Sequence, residues 1–142
     1  MQVRAVVDAS VLVRAGLSKQ LASAAQSVFH SFFAGHFEFL YNRDIVREWS
    51  SVAVGHRLPR RIFHEFMTHV VLLGFPVPDR PVPYYGCVDR TDEVYLDCAV
   101  QGHATHLVTL DIHLLDLHQD ARFNFKICGP PEFLHALRHQ VP

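Results

Sequence analysis

Residues 6–16 read VVDASVLVRAG, and the aspartate inside this stretch decides how the rest of the chain is read. Residues 2–7 before it form a short apolar run with β-branched Val3, Val6 and Val7, as a buried strand requires. Asp8 then puts a charge where that strand ends. Asp8 or Ser10 can cap the helical segment that follows. An acid at a helix start gains about 0.3–1 kcal/mol from the helix dipole, which would explain Asp8 by itself. One wall of a metal site would explain it equally well. The choice rests on where the other acids fall.

Outward from this stretch, strand-like and helix-like segments alternate. Residues 20–34 carry Leu21, Ala25, Val28, Phe29, Phe32 and Phe33 at helical spacing. FEFLY at 37–41 reads as a second strand, and Asn42 or Asp44 can cap a helix over 45–53 that Gly55 stops. Pro59 stands near the start of a further helix that runs to about Leu73 and ends at Gly74. The segment 75–86, FPVPDRPVPYYG, holds four prolines and predicts an extended connection with an edge strand at most. A capped helix follows over 91–102, led by Thr91 and closed by Gly102. HLVTL at 106–110 is a strand with Asp111 just beyond it, FKICG at 125–129 is the last strand, and 130–140 is a closing helix. This alternation predicts an α/β fold with a mainly parallel central sheet and helices on both faces. No repeat or long linker divides the chain, so 1–142 is read as a single domain.

The chain has 142 residues, 49% of them hydrophobic, enough for a substantial core, and a net charge of −1 with histidine neutral. Such a balance gives no global positive field, so any polyanion must be held by local patches or by bound metal. Cys87, Cys98 and Cys128 are odd in number and form no C-x-x-C pair, which speaks against a disulfide framework and fits a reducing cytoplasm. No run of about 18 apolar residues exists and MQVRAVVDAS is no signal peptide, so no membrane association is expected.

The informative pattern is joint. Asp8 and Asp111 each follow an apolar strand, and in an open parallel sheet ligands bind beyond the carboxyl ends of the strands. TDEV at 91–94 puts Asp92 and Glu93 in the first turn of a helix that can open at the same edge. Glu48 stands about one turn into the helix after the second strand and can lean back toward it. Two unit charges about 4 Å apart repel by roughly 1 kcal/mol in water and roughly 4 kcal/mol at an effective dielectric near 20. A cluster of this kind persists if protonated, paired with cations, or holding a divalent ion. All-oxygen ligands favour Mg²⁺ or Mn²⁺ over zinc, and such a site suits phosphodiester hydrolysis.

At these residues the chain resembles PIN-domain ribonucleases. VVDASVLVRAG resembles the family's first motif, IVREWSSV the segment bearing its glutamate, and KICGPPEFL its closing strand and helix start. The most specific match is residues 88–117, VDRTDEVYLDCAVQGHATHLVTLDIHLLDL. The subgroup it looks most like is the toxin component of bacterial toxin–antitoxin pairs, of VapC-like type. The resemblance implies a PIN-like three-layer α/β/α fold and a Mg²⁺- or Mn²⁺-dependent endoribonuclease acting on single-stranded or loop RNA. It carries the catalytic and metal-binding roles onto Asp8, Glu48, Asp92 and Asp111. Two positions depart from the family pattern: Ser10 stands where an asparagine is usual, and His113 where many members have a second aspartate. The register of the third motif is open among Asp89, Asp92, Glu93 and Asp97, with Asp92 and Glu93 leading and Asp97 solvated or paired.

Ser10, Glu93 and His113 are therefore candidate site-lining residues, and Arg57, Arg60 and Arg61 of HRLPRR form the one compact basic patch for RNA. His135 and His139 stand at chelating spacing but lack a third ligand. Trp49, Phe63, Phe66 and the phenylalanines of 29–37 are read as core. For excess apolar surface on the 20–34 and 58–73 helices, the resemblance implies a second copy in a homodimer or a cognate antitoxin helix. Ser10 and His113 also suit a rival reading, a catalytically decayed PIN-like module that binds RNA or protein. No nucleotide-binding glycine loop occurs, and the first motif lacks the second aspartate that a phosphatase or receiver-type domain would want.

Overall fold

The structure is a computed structural model in which residues 2–17 and 23–140 are described. Five strands, β1 (Arg4–Val7), β2 (Glu38–Tyr41), β3 (Phe75–Pro76), β4 (His106–Val108) and β5 (Lys126–Cys128), form one all-parallel sheet in the order β3-β2-β1-β4-β5. The helices are α1 (Ala9–Leu17), α2 (Ala24–Phe33), α3 (Arg43–Gly55), α4 (Arg60–Leu73), α5 (Arg90–Gln101), α6 (Ile112–Leu115) and α7 (Pro130–Arg138). The layers are α/β/α, as the alternation of strands and helices predicts. The predicted helix over residues 20–34 is realised from Ala24, capped by Ser23; its expected start at 20–22 lies outside the described residues.

Side chains alternate across the sheet as the strand period demands. In β2, Phe39 points to the face of α2, α3 and α4, where it meets Phe29, Phe32, Trp49 and Phe66. Leu40 points to the opposite face, against the end of α5. There Leu96, Cys98 and Ala99 of α5 are fully buried. Both faces of β1 and β4 are thus covered, which is why these strands read as continuous apolar runs. Arg4 is the exception in β1: it pairs with Glu38 on the neighbouring strand and donates to the carbonyl of Gly102, so its charge is satisfied at the strand's amino end.

The proline-rich segment supplies the edge strand β3 and then runs as an extended loop to Asp89. The acids of α5 hold this loop down. Asp97, 2% exposed, accepts from Arg80 and from the Tyr85 hydroxyl, the latter at 2.7 Å, and is paired as one of its two sequence readings expected. No helix among the described residues is long and apolar enough to cross a membrane.

Candidate active site

The order β3-β2-β1-β4-β5 places the point where the connections reverse direction between β1 and β4. Two neighbouring loops diverge there, leaving a crevice beyond the carboxyl ends of the strands. Asp8 follows β1 and Asp111 follows β4, so both acids stand at its mouth. The two loops are stitched together by hydrogen bonds. The Asp8 N–H donates to the Val108 carbonyl at 3.0 Å, and the Leu110 N–H donates to Ser10 Oγ at 3.1 Å. Thr109, wholly buried, donates its hydroxyl to Asp8 Oδ2 and accepts from the Asp111 N–H at 2.9 Å. The other Asp8 oxygen accepts from the Ser10 N–H at 2.8 Å. Asp8 is therefore both the residue preceding α1 that caps it and an acid fixed at the crevice.

The remaining acids come from two helices. Asn42 caps α3 by accepting from the Ile45 N–H at 2.9 Å. Trp49 then anchors that helix to β1, its indole N–H reaching the Val7 carbonyl at 3.2 Å, and this sets the adjacent Glu48 toward the crevice. Helix α5 is capped by Asp89, which accepts from the Thr91 N–H and hydroxyl at 2.9 and 2.8 Å. Asp92 lies in the first turn of α5, and one turn further the Tyr95 hydroxyl accepts from the Ala9 N–H at 3.3 Å, docking α5 on the start of α1. Asp8, Glu48, Asp89, Asp92 and Asp111 all line one cleft of about 550 Å³, together with Ser10.

Electrostatics follow from this crowding. Burial raises the Asp8 pKa; donors from Thr109 and Ser10 offset part of the rise, and the charge of Asp111 adds to it. Burial, then the charges of Asp89 and Asp8, raise Glu48. Asp92, 7% exposed, is pushed up to about 6 by burial and then by Asp111, Asp89 and Asp8. Among the described residues no donor reaches its carboxylate. Asp89 behaves oppositely: the Thr91 N–H and hydroxyl hold it below its ordinary value.

The donor chemistry fits a hard divalent cation, since oxygen ligands of raised pKa are what a positive charge in the cleft would relieve. Among the described residues, however, no three His, Cys, Asp or Glu side chains are set closely enough to hold an ion as they stand. The residues that would hold it are Asp8, Asp92, Asp111 and Glu48.

The other sequence candidates fall as follows. Ser10 lines the cleft. Glu93 does not: it is wholly buried and turned into the proline-rich loop, where it accepts from the Tyr85 N–H and from Arg90. Burial opposes that charge, but these donors outweigh it and hold the Glu93 pKa below its usual value. The acid that accompanies Asp92 at the cleft is Asp89. Its Asp-x-Thr spacing, a capping signature, could have singled it out. His113 stands outside the lining but near enough for its charge to favour ionised Asp89 and Asp92. Arg57, Arg60 and Arg61 are exposed and outside the lining, Arg57 with a left-handed φ of 55°. Arg14 and His56 line the cleft instead. Their signal was the helical spacing from Ser10 to Arg14 and from Glu48 to His56.

Comparison with known proteins agrees with this architecture. The crystal structure of PAE2754 from Pyrobaculum aerophilum superposes with a TM-score of 0.62 at 16% sequence identity, covering 97% of this chain and 91% of that one. At that identity the likeness establishes the fold. No curated protein matches the sequence. The family profile described as PIN domain matches residues 4–113, well over half of the chain and spanning every acid of the cleft. This chain belongs to the PIN-domain family.

Proposed function

We propose that the protein is a Mg²⁺- or Mn²⁺-dependent endoribonuclease that cuts single-stranded or loop RNA. PIN domains are generally nucleases, and this supports hydrolysis of a phosphodiester. The observation that carries the reading is the meeting of carboxylates from four separate elements in one cleft, with Asp92 pushed up to about 6. A bound divalent cation supplies charge neutralisation at the phosphate and acidity to water. The chain's own residues do the rest. Asp8 is held in place by Ser10 and Thr109, which fixes its orientation at the crevice. Asp92 and Glu48 accept no hydrogen bond from a described residue, their charged forms are disfavoured, and they would hold the cation beside Asp8. Asp111 accepts from the His113 N–H at 2.9 Å through one oxygen, and it lines the cleft.

Asp8→Asn should abolish cleavage of a generic single-stranded RNA while leaving the denaturation profile of a folded protein. Undiminished cleavage by this variant, with contaminating nuclease excluded, sinks the assignment. The family resemblance extends the proposal to a toxin of a toxin–antitoxin pair, acting in the cytoplasm as a homodimer with a cognate antitoxin. Arg57, Arg60 and Arg61 are proposed as RNA contacts outside the cleft. The absence of three carboxylates at ligating distance among the described residues favours one second reading, a decayed binding module. Calorimetry with Mn²⁺ separates the two, because a decayed site takes up no ion below millimolar concentration.

A further inference from the structure

The cleft extends beyond its acids, and its far end has the opposite character. On α1, Ser10, Val13, Arg14 and Leu17 line it, spaced as one face of a helix. On α3 the lining residues are Glu48 and Val52, followed by His56 at the helix end. These two helices form two sides of the cleft, and Thr91, Asp92 and Tyr95 of α5 line another. From Ser10 on α1 and from Glu48 in the middle of α3, each runs past a valine to a basic side chain. Arg14 is exposed and forms no ion pair with a carboxylate of the described residues. His56 is exposed as well, and it caps α3 through its backbone N–H, so its imidazole is not needed for the fold.

The separations are set by helix rise. Arg14 stands about 6 Å along α1 from Ser10, and His56 about 12 Å along α3 from Glu48. On the nuclease reading, a ligand that fills the cleft is anionic at the carboxylate end, where a bound cation would neutralise it, apolar in the middle, and anionic again one step further on. A nucleic-acid strand has this alternation: phosphate, base, phosphate. The cleft volume of about 550 Å³ is within the range of small-molecule sites. The Leu58 side chain packs on Gly16 of α1, close enough that a Cβ at Gly16 would meet it at 2.7 Å. This contact holds the loop carrying His56 and Arg57 beside the end of α1. A strand leaving past Arg14 thus runs toward exposed Arg57 of that loop and Arg60 and Arg61 at the start of α4.

We propose that Arg14 and His56 form a subsite for the phosphate of the nucleotide flanking the one at the carboxylates, with the intervening base against Val13, Val52 and Leu17. The inference deepens the nuclease reading and rests on it for the phosphate at the acids, but it concerns strand binding and not scission.

The test is fluorescence anisotropy with an end-labelled single-stranded RNA dodecamer and with the corresponding dinucleotide. Ca²⁺ replaces Mg²⁺ to neutralise the carboxylates, and each titration is repeated over a range of KCl. Arg14→Ala should weaken dodecamer binding about five- to tenfold and flatten the log–log salt dependence by about 0.7, the slope of one phosphate contact on a single strand. His56→Ala should weaken it less, Arg14→Lys should restore most of the affinity and slope, and binding of the dinucleotide should be unmoved by any of them. Unchanged denaturation midpoints for these exposed positions control for folding. A double variant that binds the dodecamer with wild-type affinity and salt slope overturns the proposal. Equal losses on the dinucleotide, or a wild-type protein that does not bind the dodecamer, overturn it too. Mn²⁺ added to the same samples separates the two claims: RNA left intact by a protein that still shows the Arg14 dependence removes the nuclease reading and supports the subsite.

Discussion

Asp92→Asn should make the metal-free protein more stable at alkaline pH while weakening the proposed metal site. The Asp92 pKa is pushed up to about 6 from 3.8, so its charged form is disfavoured in the fold. The sign follows from linkage: between 3.8 and about 6 the folded state binds more protons than the unfolded one, so this group lowers stability as pH rises through that window. Below the window the penalty is absent, and above it the penalty is complete. A displacement of about two units corresponds to about 3 kcal/mol at 1.36 kcal/mol per unit. Asparagine is never charged and escapes this cost. It forfeits the favourable interaction of an acid with the first turn of α5, about 0.3–1 kcal/mol, and some of the penalty is relieved by water in the open cleft. The net expectation at pH 8 is a gain of about 1–2 kcal/mol, shifting the urea midpoint upward by roughly 0.5–1 M. The gain should vanish near pH 4. The assay is urea denaturation in EDTA across this pH range, comparing variant and wild type, because Asp8 and Glu48 also titrate upward and only the difference isolates Asp92. Mn²⁺ should then stabilise the wild type more than the variant. A variant less stable than wild type at pH 8, or a difference independent of pH, refutes the claim that burial and the neighbouring acids disfavour the charged form of Asp92 in the fold.

Three further outcomes are expected. Thr109→Val strips a donor from Asp8 and an acceptor from the Asp111 N–H in a fully buried setting, which should cost about 1–3 kcal/mol in denaturant unfolding. Because the Thr109 hydroxyl lowers the Asp8 pKa, its loss should also move the acidic limb of the cleavage–pH profile to higher pH; an unmoved limb would count against Asp8 as a ligand. Trp49→Phe leaves the Val7 carbonyl without its indole donor and should cost about 1–3 kcal/mol, with reduced cleavage because Glu48 is next to the lost anchor. Gly74→Ala should destabilise by about 1–3 kcal/mol although its φ of −71° suits any residue, since a Cβ there would come within 2.4 Å of the Val70 carbonyl oxygen and 2.8 Å of the Tyr41 ring. A thermal melt checks it, and an unchanged melting temperature would show that α4 can shift.

Local physical chemistry was enough to read the elements and their ends. The strand at 2–7, the caps at Asn42 and Gly74, the extended proline-rich connection with its edge strand and the helix closed by Gly102 all follow from residue preferences within a few positions. The joint pattern of acids after apolar strands likewise named Asp8, Glu48, Asp92 and Asp111, all of which line the cleft. Which neighbours share that cleft was a different kind of question. Successive residues on a helix turn by about 100°, so Asp92 and Glu93 point in different directions, and nothing local says which of them meets the crevice. The docking of α5 through Tyr95 and of the proline-rich loop onto Glu93 and Asp97 made that choice, and Asp89 took the second place. The same holds for Arg14 and His56. Their helical spacing was visible in the sequence, but only the tertiary packing, which brings residues of α1 and α3 into one cleft, turned two ordinary basic residues into its far end.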